Sequence, residues 1–313
     1  HYSEEQAIQE LQEVSEKIQL SSINEFSFST IDETASSCTD EQYKNLVAKA
    51  KEHCQQGDVF QLVLSRRFSQ SFSGDEFNVY RALKNINPSP YLFYFDLGSF
   101  KLFGSSPEAQ LVIQNDITEI HPIAGTYRRT GNDDEDIIKA KALLNDPKEV
   151  AEHNMLVDLA RNDLSKYCSE VELKIAKQTQ FYSHVIHLVS KVTGKKKTVH
   201  HPFELLLGTF PAGTLSGAPK YRALQLIDTY EAESREFYGG CVGFISHDNQ
   251  LNHAIMIRTF LSKDNTLYYQ AGAGIVVSSN EESELQEINN KVSALKKAIQ
   301  QAEKFNNITI ANK

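Results

Sequence analysis

Tyr268-Tyr-Gln-Ala-Gly-Ala-Gly-Ile-Val-Val-Ser-Ser-Asn-Glu-Glu-Ser-Glu-Leu-Gln-Glu-Ile-Asn-Asn-Lys291 passes from a strand pattern to a helix pattern. Aromatic and β-branched residues surround Gly272 and Gly274. Glycine inside a strand weakens it unless another backbone or a ligand must come close. Ser279 and Glu282 form a Ser-x-x-Glu capping box. A long helix follows, with Leu285, Ile288, Val292, Leu295, Ile299 and Ala302 as its core stripe. Glu284 and Glu287 lie beside that stripe, one turn apart. The stretch therefore delivers bare backbone N–H groups, two carboxylates and Lys291 to one neighbourhood. Solvated glutamates on a surface helix would show the same spacing.

Working outward, the preceding segments 240–246, 251–261 and 266–277 read as three antiparallel strands, with a hairpin turn at His247 to Gln250. Further strands are expected at Val59 to Phe68, 91–97, 100–104, 109–114, 117–123 and Ser183 to Val192, the last containing His184 and His187. Helical periodicity covers residues 3–20, where Ser3 and Gln6 make a capping box. It returns at Asp40 to Gln56, stopped by Gly57, and at Asp75 to Ile86. Asp133 to Leu144 opens with four acidic residues, which suits a helix N-terminus. Another helix starts at Asp146-Pro147 and runs to about Leu164; 202–208 and Tyr221 to Tyr230 complete the set. Residues 21–39, rich in Ser and Thr, read as a loop or linker. Strands come in runs rather than alternating with helices, which predicts an α+β fold and not a parallel doubly wound sheet.

The chain has 313 residues, 40% of them hydrophobic and 23% charged, with a net charge of -9. That balance is typical of a globular protein, and an acidic chain is a poor match for nucleic acid. Cys38, Cys54, Cys168 and Cys241 form no Cys-x-x-Cys pair and read as free thiols of a reducing, cytoplasmic compartment. No apolar run reaches the ~18 residues of a membrane span. The opening is abrupt, as though residues precede His1.

Several residues carry chemistry. Glu149 with Glu152, and Glu284 with Glu287, are Glu-x-x-Glu pairs, and oxygen-only ligands suit Mg²⁺ better than zinc. Glu149 equally fits a capping position after Asp146. Arg258 stands in an apolar run read as a strand buried on both faces, so it needs a carboxylate, from the protein or from a ligand. Glu108 follows Ser-Ser-Pro at a strand end, and His187 sits among apolar residues, as a satisfied core histidine or a catalyst.

Taken together, nine segments resemble the chorismate-utilising enzymes, and within them anthranilate synthase component I. They are Asn87-Pro-Ser-Pro-Tyr-Leu-Phe-Tyr94, Gly104-Ser-Ser-Pro-Glu108, Pro122-Ile-Ala-Gly-Thr126 and Glu152-His-Asn-Met-Leu-Val-Asp-Leu-Ala-Arg-Asn-Asp163. Downstream come Ser183-His-Val-Ile-His187, Phe210-Pro-Ala-Gly-Thr-Leu-Ser-Gly-Ala-Pro-Lys220, Tyr238-Gly-Gly-Cys-Val-Gly243, Ile257-Arg-Thr259 and Gln270-Ala-Gly-Ala-Gly274. The resemblance spans about Gly57 to Ala298. It implies an orthogonal antiparallel β-sandwich flanked by helices. Residues 1–39 would then be an N-terminal helix and linker, and residues 40–313 a chorismate-binding catalytic domain.

By matching motif, Glu152 and Glu287 resemble direct Mg²⁺ ligands, with Glu149 and Glu284 behind them. Gly125, Thr126 and Thr214 resemble ring-side contacts. Tyr238, Arg258 and the backbone of Gly272, Ala273 and Gly274 resemble the grip on the enolpyruvyl carboxylate, with Lys291 as a further carboxylate partner. Glu108 resembles the general acid that protonates the leaving 4-hydroxyl, which requires a raised pKa. His187 resembles the histidine linked to the second step. Water-using relatives carry Lys where this chain has Gln61, and aminodeoxychorismate synthases typically carry Lys where it has Ala124; both positions point to ammonia as nucleophile and anthranilate as product. The implied partners are chorismate, ammonia and a glutaminase subunit, in a hetero-oligomer. Aminodeoxychorismate synthase and an inactive chorismate-binding fragment stand as alternatives. Pro90, Tyr91 and Leu92 match half of a feedback tryptophan site; its Leu-Leu-Glu-Ser half is not found here.

Overall fold

A computed structural model describes residues 3–19, 26–182 and 185–307. In chain order the strands are β1 (Phe28–Thr30), β2 (Ala35–Ser36), β3 (Gln61–Gly74), β4 (Tyr91–Asp96), β5 (Lys101–Ser106), β6 (Ala109–Gln114), β7 (Ile117–Ile120) and β8 (Ile123–Arg128). They continue as β9 (Cys168–Phe181), β10 (Val185–Lys196), β11 (Gly217–Ala218), β12 (Cys241–Ile245), β13 (Leu251–Ile255), β14 (Thr259–Lys263) and β15 (Thr266–Ile275). The helices are α1 (Glu4–Gln19), α2 (Asp40–Gln56), α3 (Phe77–Ile86), α4 (Asp133–Leu144), α5 (Pro147–Ser165), α6 (Pro202–Thr209), α7 (Gly213–Ser216), α8 (Lys220–Tyr230) and α9 (Glu281–Ala302).

The strands make two antiparallel sheets, as the α+β reading requires. One runs β1-β3-β15-β14-β5-β4, with β2 and β11 also on β3; the other runs β12-β13-β6-β7-β10-β8, with β9 also on β10. On the first sheet, Leu62 and Leu64 of β3 and Ala273 and Ile275 of β15 pack against Tyr43 and Val47 of α2 and the Leu285–Ile288–Val292–Leu295 stripe of α9. On the second, Leu111, Ile113 and Val192 pack against Val157, Ala160 and Leu164 of α5. A third apolar cluster joins the sheets, with Ile255, Met256 and Tyr238 meeting Leu102 and Leu261. Among the described residues no helix is long and apolar enough to cross a membrane.

The end signals of α2 explain its bounds. Thr39 Oγ1 accepts the Gln42 N–H (3.2 Å), Gln42 Oε1 accepts the Thr39 N–H (2.8 Å), and Gly57 closes the helix at φ 80. Thr39→Ala removes one half of this box and is expected to cost about 1 kcal/mol of stability, read as a shift in the urea midpoint at unchanged slope. An unchanged midpoint would mean that the box contributes nothing.

Several expectations need correction. Ser279 does not cap α9. Asn280 does, its side chain accepting the N–H groups of Glu282 and Ser283, while Ser279 Oγ takes the Val276 N–H. The stretch 21–39 is no simple linker: β1 and β2 both pair with β3, and Phe28 is fully buried. The segment 117–123 divides at His121-Pro122 into β7 and β8. The segment 251–261 divides into β13 and β14, which lie in different sheets, so Arg258 is not on a strand. Strand β9 was not anticipated. The α1 stripe Ile8, Leu11, Val14 and Ile18 is exposed. Ser183 and His184 lie outside the described residues.

Candidate active site

The chain changes sheet twice by very short crossings, and the crossings run side by side. Pro107 and Glu108 take it from β5 to β6; Met256 to Arg258 take it from β13 to β14. The Ser105 N–H donates to Arg258 O (3.1 Å) and the Ile255 N–H to Glu108 O (3.0 Å). The Ser106 hydroxyl donates to Ile255 O (2.6 Å). Arg258 adopts φ 49, a conformation that a non-glycine residue keeps only where its surroundings fix it. A carboxyl and a guanidinium are thus carried on mutually bonded backbone at the junction of the sheets.

Burial pushes the Glu108 carboxyl up to about 7, as a general acid at neutral pH requires. The Thr214 hydroxyl, donating to Oε1 at 3.0 Å, opposes the rise, as do the charges of Lys291 and Arg258. Arg258 is partly buried, and desolvation pulls its pKa below the usual range. Its Nη1 donates to Asn87 Oδ1 (3.1 Å); among the described residues it forms no ion pair. Asn87 lies in an Asn-Pro-Ser-Pro turn, and nothing in that sequence signals this contact.

The two Glu-x-x-Glu pairs face one another across the site from α5 and α9. Glu152 is raised chiefly by burial and also by the charges of Glu149 and Glu287; Glu284 is raised by burial and by Glu287. Glu149 is not spent on capping. Asp146 caps α5, and Glu149 Oε2 accepts the Thr126 N–H (3.1 Å). Lys291 Nζ bonds Glu287 Oε1 and Gly272 O, each at 2.7 Å. Among the described residues no three His, Cys, Asp or Glu side chains form a ready metal-holding group. Mg²⁺ asks for less: one or two protein carboxylates suffice when waters and substrate oxygens complete its shell. Buried carboxylates such as Glu152 and Glu284, raised by burial and by neighbouring carboxylates, fit such an ion.

The glycine strand has physical reasons for its glycines. A Cβ on Gly272 would stand 2.9 Å from the Tyr238 hydroxyl, and one on Gly274 would stand 2.5 Å from Gln61 Nε2. Gly272 and Gly274 share one face of β15, and Ala273 points into the core, so it offers the site only backbone. Gln61 donates Nε2 to Glu152 Oε1 (2.9 Å), while its Oε1 is buried without a partner. Tyr238 rests over the Arg235 guanidinium, whose carbon lies 5.7 Å from the ring centroid. Arg235 also bonds Glu231, Leu215 O and Val63 O. Sequence reading passed over Arg235, although the i,i+4 spacing from Glu231 marks a pair.

Gly125 is the bulged residue of β8, at φ 83, where the register with β10 slips beside His187. His187 Nδ1 lies 3.0 Å from Thr126 Oγ1 and 3.3 Å from Gly125 O. A carbonyl only accepts, so Nδ1 carries the proton and Nε2 is the basic nitrogen. Burial lowers the imidazole to about 4, keeping it neutral. Pro90, Tyr91 and Leu92 lie elsewhere, leading into edge strand β4, where the Tyr91 hydroxyl bonds Asn252 Oδ1 (3.0 Å).

A family profile described as chorismate binding enzyme matches residues 1–297. Anthranilate synthase component 1 of Aquifex aeolicus is 46% identical over 270 residues, covering 86% of this chain and 55% of that protein. The chain thus spans about half the length of the curated relatives it matches. The crystal structure of anthranilate synthase component I from Streptococcus pneumoniae superimposes with TM-score 0.86 at 36% identity, over 94% of this chain and 67% of that one. A putative 2,3-dihydroxybenzoate-specific isochorismate synthase from Bacillus anthracis matches at TM-score 0.78 and 28% identity, over 89% of this chain and 76% of that one.

Proposed function

This chain belongs to the chorismate binding enzymes, and from that membership we propose that it converts chorismate and ammonia to anthranilate and pyruvate, the entry step of tryptophan biosynthesis. A glutaminase subunit supplies the ammonia, and the enzyme works in the cytoplasm. The observation that carries this reading is Arg258, a partly buried guanidinium with no carboxylate partner among the described residues, set beside a Glu108 carboxyl pushed up to about 7. Such a pair suits an anionic substrate that must lose a hydroxyl group.

Arg258, Tyr238 and the backbone of Gly272 to Gly274 hold the enolpyruvyl carboxylate, with Lys291 beside them. Gly125, Thr126 and Thr214 flank the ring. Glu152 and Glu287 would hold Mg²⁺, with Glu149 and Glu284 behind them; the ion, when bound, neutralises the ring carboxylate. Ammonia attacks ring C2, the double bonds shift, and the 4-hydroxyl leaves as water with the proton of Glu108. Gln61 is an amide and cannot act as a base, but its unpartnered Oε1 can accept an ammonia N–H and orient the lone pair. His187, neutral, takes the C2 proton as pyruvate departs and the ring becomes aromatic.

Incubating the chain with chorismate, Mg²⁺ and ammonium should give a rise in anthranilate fluorescence that EDTA abolishes. Pyruvate released in step with anthranilate supports the reading. An amino intermediate without pyruvate would move it to aminodeoxychorismate synthase, and no turnover of bound chorismate would leave an inactive binding fragment.

A further inference from the structure

We propose that Lys220 and Asp163 are positioning residues, whose ion pair clamps the loop carrying Thr214 so that its hydroxyl stays bonded to Glu108. The proposal rests on Glu108 being the acid of the reaction proposed above.

Residues 210–219 join α6 to α8 and contain the single turn α7, which carries Thr214, and β11, and Lys220 Nζ closes the base of that connection. It donates to Thr209 O at the end of α6 (2.9 Å) and to Asp163 Oδ2 on α5 (2.8 Å). Thr209 O also accepts Gln110 Nε2 (3.2 Å), two residues beyond Glu108 on β6. One carbonyl therefore links the strand that bears the acid to the loop that bears its hydroxyl partner. Asp163 ties both to α5, the helix of Glu149 and Glu152. The loop rests directly on that helix, since a Cβ on Gly213 would lie 2.3 Å from Leu159 Cδ2.

Both charges sit where their own helices disfavour them. Lys220 is the first residue of α8 and Asp163 lies in the last turn of α5; the helix dipole prefers the opposite signs at both places. Their side chains are only 17% and 8% exposed, and an ion pair so enclosed stabilises a fold weakly against apolar residues of the same size. What the pair supplies is a fixed distance. A half-open cavity of about 40 Å³, lined by Glu108, Gln110, Asp163, Thr209 and Thr214 among others, adjoins the clamp and leaves room for Thr214 to shift.

Charged and titratable groups facing Glu108 are Lys291 of α9, Arg258 of the second crossing, and Tyr182 and Tyr238. All four stay in place in the variants. Lys220→Met leaves the buried Asp163 with only the more distant and half-exposed Lys166 (3.7 Å) as counter-charge and can fail to fold, so the deciding variant is Asp163→Leu with Lys220→Met, which removes both members of the clamp together. Three quantities are read on the full chain: the melting temperature, the Glu108 titration followed by ¹³C NMR of labelled glutamate against a Glu108→Gln reference, and the pH profile of kcat. Loss of the Thr214 bond should move the Glu108 titration and the alkaline limb of kcat upward together by about one pH unit. kcat should fall by about 10- to 100-fold with KM for chorismate little changed. A folded double variant whose Glu108 titrates as in the parent chain overturns the proposal, whatever happens to kcat. The NMR titration needs no turnover, so a parent chain that makes no anthranilate would sink the assigned reaction while the clamp is still tested.

Discussion

Glu108→Gln should lower the rate of anthranilate formation by about 10²- to 10⁴-fold and leave chorismate affinity within a few-fold. The amide keeps the shape and the Thr214 contact (3.0 Å in the parent) but has no proton acidic enough for a leaving hydroxyl. The parent chain gives the pH sign. As the proposed acid, Glu108 works in its protonated form, and burial raises it to about 7. The contribution of Glu108 is therefore present below that value and lost as pH rises through it, while free ammonia increases over the same range. The two trends make a bell, and Glu108→Gln should erase its alkaline limb along with most of the rate. A variant that keeps parental turnover would remove Glu108 from the role of acid.

Arg258→Met should weaken chorismate binding by about 3–5 kcal/mol, roughly 150- to 5000-fold in kcat/KM, because a carboxylate held by a partly buried guanidinium loses its partner. The same substitution should raise the melting temperature of the ligand-free chain. Without substrate, Arg258 has Asn87 as its hydrogen-bond partner and no ion pair among the described residues, so its enclosed charge is under-compensated. Opposite signs in the two measurements mark a residue kept for its ligand. Unchanged binding, or a fall in stability, would mean that Arg258 serves the fold instead.

Local signals carried much of this architecture. Helix α2 was readable to the residue because its apolar face and the stop at Gly57 agree, and α4 was readable from the four acidic residues that open it. Strand β9 escaped although Val171, Leu173 and Ile175 alternate with Glu170, Glu172 and Lys174; the polar run Lys177 to Gln180 follows them, and the strand is held by β10 and largely exposed. The break between β13 and β14 was hidden for the opposite reason. Ala254 to Phe260 is almost continuously apolar, and nothing in an Ile-Arg-Thr triplet announces a positive φ. The cap of α9 was misplaced by one residue because Ser279 and Asn280 are both good caps, and the choice between them is made by the Val276 N–H.

The candidate site was legible in its parts and not in its assembly. Spacing displays each glutamate pair on its own helix; that Glu287 acts on Glu152 across the site is a fact of tertiary structure. Likewise the glycines of β15 announced a close approach, but not that Tyr238 and Gln61 were the groups approaching. Asn87 and the Lys220–Asp163 pair gave no comparable signal, since each acts through a contact distant in sequence.

The paired crossings at Pro107–Glu108 and Met256–Arg258 also bear on how such a protein can change through descent. Their course is held by main-chain bonds, Ser105 to Arg258 and Ile255 to Glu108, and by the Ser106 hydroxyl on Ile255 O, none of which uses the Glu108 or Arg258 side chain. Strand registers on either side are equally indifferent to them. Mutation can therefore replace the reactive groups one at a time while the scaffold is inherited intact. New chemistry at this junction needs no new topology, and a lineage can wander between reactions without passing through an unfolded ancestor.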